Sequence, residues 1–245
     1  MKTTFTFLWA IVFLVSCAQN EPAEDLIAKS IQAHGGDQVY RSIVSFDFRD
    51  IHYIASYDEG MFTLERLFED SVNTYHDVLD NEGFIREVNG EVVELDEEWT
   101  GKYSRSVNSV IYFFRIPFVL QDDAVILNRL RDGAIEGQSY YKVEATFNEE
   151  GGGEDFDDRF VYWINTDNYE IDYMAYSYST DGGGKRFRKA INERKVNGWL
   201  VKDYINFEPK DLDVPLDDYD QYFADGGMKE LSRIENVNIK VEYIE

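Results

Sequence analysis

The sequence predicts a mainly β, α+β fold: a curled antiparallel half-barrel of about ten strands, with an N-terminal helix and a central apolar helix covering the concave face. Three observations carry this expectation. Two long blocks, about 43–95 and 139–207, alternate apolar and polar residues with period two. Asn-Gly, Gly-Gly-Gly and Thr-Asp-Asn turns divide them into short strands. Stretches with helical spacing stand before the first block and between the two.

The chain opens with Lys2 and an unbroken apolar run from Phe7 to Val15, closing on Leu14-Val15-Ser16-Cys17. A bilayer takes about 20 apolar residues to cross, so this run is too short, and its basic start and cysteine end read as an export signal. Leu14-Val15-Ser16-Cys17 resembles the bacterial lipobox. That resemblance implies a thioether-linked diacylglycerol on Cys17, cleavage before it, and membrane attachment through the lipid. Residues 1–16 are expected to be a signal peptide, 17–23 a lipidated cysteine and polar tether broken by Pro22, and 24–245 a single β domain. Ala18 and Gln19 follow the cysteine. The Asp that retains some lipoproteins at the inner membrane is absent, so the expected location is the outer membrane, on its periplasmic side or at the cell surface. Cys17 is the sole cysteine, which leaves no intramolecular disulfide and puts stability on packing.

The first helix places Leu26, Ile27 and Ile31 with Ala23 and Ala28 on one stripe, carries Glu24 and Asp25 at its N-terminal end, and stops at Gly35-Gly36. His34 stands at its C-terminal end, where a cation suits the helix dipole. In the first strand block, Val44, Phe46 and Phe48 share a face, then Phe62, Leu64 and Phe68, then Val72, Thr74, His76 and Val78. Asn89-Gly90 predicts a two-residue hairpin, because both central positions of a type I′ turn need positive φ. From Ser104 to Leu120 runs the most apolar stretch after the signal, with Val107, Val110, Ile111 and Phe114 at helical spacing and Pro117 ending the helix. It is a core helix or a lid over a cavity, and the pattern serves both. The second block resolves into strands separated by Gly151-Gly152-Gly153, Thr166-Asp167-Asn168, Gly182-Gly183-Gly184 and Asn197-Gly198. Residues 208–227, with Pro209, Pro215 and Gly226-Gly227, predict a loop with one helical turn at Tyr219 to Ala224. A last strand carries Val237, Ile239, Val241 and Tyr243 on one face.

Four segments carry a resemblance: Ala33 to Gly36, Tyr112 to Leu120, Phe160 to Asn165, and Gly182 to Arg188. Together they resemble a domain-of-unknown-function family of Gram-negative envelope lipoproteins, over roughly residues 24 to 245. More distantly, the order helix, strands, helix, strands is similar to the lipoprotein carriers LolA and LolB, half-open barrels whose concave side, roofed by helices, takes acyl chains. The resemblance implies that fold and an envelope location; it brings no catalytic residues and no cofactor.

The formal net charge of −24 repels nucleic acid and anionic headgroups. Aromatic residues at 16% and hydrophobic residues at 44% exclude a disordered acidic chain. No HExxH, GxSxG or phosphate-binding loop occurs, so an enzyme is not expected, although 48 carboxylates leave a paired-carboxylate hydrolase as a minor alternative. Glu154, Asp155, Asp157 and Asp158 follow the triple glycine, but they lack the spacing and distal Glu of a calcium loop, and no metal is expected. Lys185, Arg186, Arg188, Lys189, Arg194 and Lys195 concentrate basic charge in one strand. Arg186 and Arg188 fall on one face and Lys185, Phe187 and Lys189 on the other. They serve either a carboxylate or phosphate ligand, or pairing with neighbours such as Glu170 and Asp172. The candidate cavity is drawn from Val107, Ile111, Phe114, Tyr176, Tyr178, Arg186 and Arg188, with Cys17 as the lipidation site. The expected function is a non-enzymatic module that binds an amphipathic or acyl-bearing ligand at the membrane; the alternative is an interaction subunit of an envelope complex with a filled core and an unknown protein partner.

Overall fold

The structure is a computed structural model that describes residues 21–148 and 156–244. Cys17 with the signal segment, the triple glycine, Glu154 and Asp155 lie outside the described residues.

Helix α1, Ala23–His34, buries Leu26, Ile27 and Ile31 completely, as its apolar stripe requires. It ends where the amides of Gly35 and Gly36 both donate to the Ile31 carbonyl. Gly35 has φ +149°, and a Cβ there would come within 3.4 Å of the Trp199 backbone, so the turn needs glycine for both its conformation and its close packing.

Two antiparallel sheets follow, neither closed into a barrel. The first holds β1 (Ser42–Phe48), β2 (Ile51–Asp58), β3 (Met61–Glu69), β4 (Thr74–Asp80), β5 (Gly83–Val88) and β6 (Glu91–Val92) as a meander. Its outer edge beyond β1 is completed by the last strand, β15 (Asn236–Tyr243), with Ser42 opposite Tyr243. Helix α2, Glu97–Phe114, then leads through a cis Ile116-Pro117 bond into the second sheet. That sheet runs β7 (Val125–Arg129), β9 (Gln138–Phe147), β10 (Arg159–Asn165), β11 (Ile171–Tyr178), β12 (Gly184–Val196), β13 (Trp199–Pro209) and β14 (Met228–Ile234), with β8 (Gly133–Ile135) also on β9.

Consecutive strands β14 and β15 lie on different sheets, so the chain passes from one to the other at Glu235. Polar side chains of the second sheet bind this crossing: Arg194 and Asp203 hold Asn236, and Asn197 donates to the Val241 carbonyl.

The curled half-barrel is as expected, with differences that have local causes. Fifteen strands are present among the described residues instead of about ten: β2, β7, β8 and β14 are additional, and β7 and β8, of five and three residues, are too short to show a period. In β4 the inward set is Tyr75, Asp77 and Leu79, not Thr74, His76 and Val78; Val72 precedes the strand and is 79% exposed. A carboxylate at the buried centre, Asp77, had inverted the apparent period. In β15, Val237 is exposed and Val241 buried, since a bulge in β15, opposite Ser45 to Asp47 of β1, shifts the register between them. Helix α2 begins seven residues before Ser104, capped by the Asp96 side chain accepting from the Trp99 amide.

The main core lies between the sheets and both helices, around Phe46, Ile111, Phe118, Tyr162 and Trp199. A second core sits on the outer face of the second sheet, where Trp163 and Phe187 are covered by Leu216 and Tyr219. Tyr219 belongs to α3 (Tyr219–Ala224), the helical turn expected from the sequence. Lys142 fastens this flap by donating to the Asp217 carbonyl and the Asp220 carboxylate.

Candidate functional site

Helix α2 separates the sheets and divides its surface between them. Toward the first sheet, Phe114 stacks on Phe46 at 4.0 Å, Arg86 lies 3.4 Å from the Tyr103 ring centroid, and Arg66 donates to Ser106 at 2.6 Å. Toward the second sheet, Phe113 meets Tyr176 at 4.9 Å and takes the Arg188 guanidinium 3.7 Å above its ring. Between these contacts the small and polar residues Gly101, Ser104, Asn108 and Ser109 fail to fill the space. A cavity of about 520 Å³ remains, walled opposite the helix by Phe147, Phe160, Tyr176 and Tyr178, with Arg186 in its lining.

The sequence-derived candidates divide. Tyr176, Tyr178 and Arg186 line this cavity. Phe114 and Arg188 line a smaller one of about 150 Å³ beside Phe113. Val107 and Ile111 line neither, being fully buried in the main core. The apolar stripe of a helix seeks the core, and the cavity is left to the neighbouring stripe of small residues. Phe147, Phe160, Tyr112 and Phe113 were missed; the run of aromatics through 112–114 and on β10 was the available signal.

In the basic strand, Arg186 and Arg188 do face inward, opposite Phe187. The Arg188 side chain donates to the Tyr176 hydroxyl at 2.8 Å. Glu170 and Asp172 do not pair with this strand's arginines; Lys202 takes both, at 2.8 and 2.9 Å. Lys189 pairs with Glu136 and Arg194 with Asp203, while Lys185 donates to the Leu212 and Val214 carbonyls of the outer flap. The strand's charges thus serve several separate contacts.

His34 does not act as a helix-end cation. It is buried, and burial pushes its pKa down to about 4. The ring is therefore neutral, and Nδ1 donates to the Ser30 carbonyl at 2.8 Å. His52 pairs with Asp47 and His76 with Glu65 on the outer face of the first sheet. Among the described residues no three His, Cys, Asp or Glu are placed to share a metal ion.

A second cavity of about 670 Å³ adjoins the first, the two sharing Asn108, Tyr112 and Phe147 in their walls. Arg115, which follows α2 directly, stands in its lining. It is 5% exposed and lies 3.2 Å above the Tyr57 ring centroid, and its Nε has no hydrogen-bond partner. The Tyr112 hydroxyl is also buried, with the Tyr162 hydroxyl beside it.

The model of a family of unknown function, DUF6503, matches residues 2–236. The chain belongs to DUF6503. Among curated proteins no relative of this DUF6503 chain is found. Its fold is similar to that of the LolA superfamily protein NE2245 from Nitrosomonas europaea, with a TM-score of 0.53 at 12% identity over 92% of this chain and 96% of that one. A DUF1329 family protein from Desulfovibrio piger is more distant, at TM-score 0.45 and 12% identity over 90% and 93%. The fold of this DUF6503 protein is LolA-like.

Proposed function

We propose that this DUF6503 protein is an exported lipoprotein, held at the outer membrane through lipidated Cys17, whose half-barrel binds an amphipathic or acyl-bearing molecule without chemically altering it. The observation that carries this reading is the cavity between α2 and the second sheet. Its volume falls in the range of small-molecule sites, about 300–1,000 Å³. Its walls are aromatic on the sheet side and polar on the helix side, which suits a molecule with both characters. Each acyl CH₂ taken out of water there contributes about 0.8 kcal/mol, so a chain of modest length is retained. The resemblance to LolA and LolB, whose concave side takes acyl chains, supports the same reading. The interaction-subunit alternative has a filled core as its premise, and the cavity beside the small residues of α2 counts against it.

The test is the lipid that stays with the protein. The full chain is extracted from membranes, stripped of excess detergent and measured intact by native mass spectrometry, beside Ser104→Trp, which places an indole in the cavity from the small-residue stripe of α2. The wild type should carry a bound lipid-sized mass that Ser104→Trp loses at least tenfold. An equally loaded variant, or a wild type bearing only its covalent lipid, would sink the proposal.

A further inference from the structure

Arg115 is buried to the degree of a core residue, yet it has no counter-ion. The other deeply buried arginines of the first sheet, Arg66 and Arg86, close on the Asp77 carboxylate from both sides. In a chain of 48 carboxylates, no described carboxylate pairs with Arg115. A buried guanidinium stays charged, and a buried charge is strongly unfavourable unless something balances it. The C-terminal carbonyls of α2 offer a partial negative charge, equivalent to roughly half an electron. The Tyr57 ring face adds a weaker attraction. Neither supplies a full anion.

The surroundings define what would. Beside Arg115 the cavity is bounded by Leu64, Phe118, Val125 and Phe147, and Tyr112 stands on the side where it adjoins the aromatic cavity. Arg115 is the one buried cation of this lining, since Arg41, paired with Asp58, and the carboxylates Glu59 and Asp122 are exposed; a buried cation beside apolar walls fits a small singly charged head on an apolar tail. We infer that Arg115 seats the carboxylate of a long-chain acyl carboxylate, whose tail runs past Asn108, Tyr112 and Phe147 toward the aromatic cavity. The planar guanidinium matches a carboxylate with two parallel hydrogen bonds. A phosphodiester head shares the negative charge but brings a second polar ester arm into apolar surroundings. This inference rests on the amphiphile reading above and adds the charge and seat of the head group.

Photo-labelling in membranes holding the full chain tests it. The probes are a diazirine-bearing fatty acid, the matching fatty alcohol, and a phosphatidylglycerol with the same tail, with labelled peptides mapped by mass spectrometry. The acid should label the peptides of β7 and β9 at least tenfold more than the alcohol or the phospholipid, and excess inorganic phosphate should not compete. Arg115→Gln should bring the acid down to the level of the alcohol, while Arg115→Lys keeps part of the preference. Limited proteolysis reports whether each variant is folded, and the wild-type comparison of acid with alcohol stands even if Arg115→Gln is not. Equal labelling by acid and alcohol overturns the head-group seat and leaves the amphiphile reading intact. Preference for the phospholipid, or competition by phosphate, overturns the carboxylate assignment. No cavity labelling by any of the three defeats the underlying reading as well.

Discussion

The neutral imidazole of His34 makes the stability of the fold depend on acid. In the unfolded chain the ring binds a proton below its ordinary pKa of 6.5, whereas in the folded protein burial delays this to about 4. Between those values the unfolded state holds more protons, so stability falls as pH drops through the window and is fully present above it. The loss from this one residue is about 3 kcal/mol at most, at about 1.4 kcal/mol per pH unit. Urea denaturation from pH 6.5 down to pH 4 should show a steeper decline in wild type than in His34→Gln. Parallel declines would mean that other groups dominate the acid response. A histidine in the last turn of a helix reads in sequence as a dipole partner, because burial is set by what packs over it. The cover here comes from strands far along the chain, which local spacing does not reveal.

At the scale of elements, α2 is fixed to the first sheet by charge as much as by packing. Asp77 is completely buried on β4 and accepts from Arg66 of β3 and Arg86 of β5, and those arginines reach Ser106 and Tyr103 of α2. Asp77→Ala would leave two buried cations facing each other beneath the helix. The expected cost is about 3–5 kcal/mol, whereas Lys229→Ala, at an exposed pair with Glu208, should leave stability nearly unchanged. Equilibrium unfolding of the two variants checks the contrast; similar values would show that the cluster contributes no more than a surface pair. Hairpins were the most legible elements, since Asn89 and Asn197 adopt φ of 54° and 46° as Asn-Gly turns require. The apolar second half of α2 was legible too. Its first half, from Glu97 to Tyr103, was not, because its residues face a cavity, an arginine or solvent and leave no apolar stripe. For the same reason the sequence pointed to Tyr176 and Tyr178 on the cavity's sheet side but missed its helix-side wall.

For the whole molecule, the proposed attachment and the proposed ligand site are separable. Cys17 and the tether precede Ala23, where the helix that enters the core begins. Cys17→Ser should therefore abolish labelling by an alkyne fatty acid in cells while the protease-resistant domain persists. Equal labelling of wild type and variant would end the lipoprotein reading. The pairing of Ser42 with Tyr243 carries a consequence in time. A ribosome that has made the first sheet's meander has not yet made the strand that covers its β1 edge, and nearly the whole chain must emerge before that edge is closed. Joining ends so distant in sequence is slow, because the chain loses the freedom of the intervening loop before the contacts repay it. Under the proposed export as an unfolded thread such slowness is useful: the chain would stay uncommitted during passage and complete itself only on the far side.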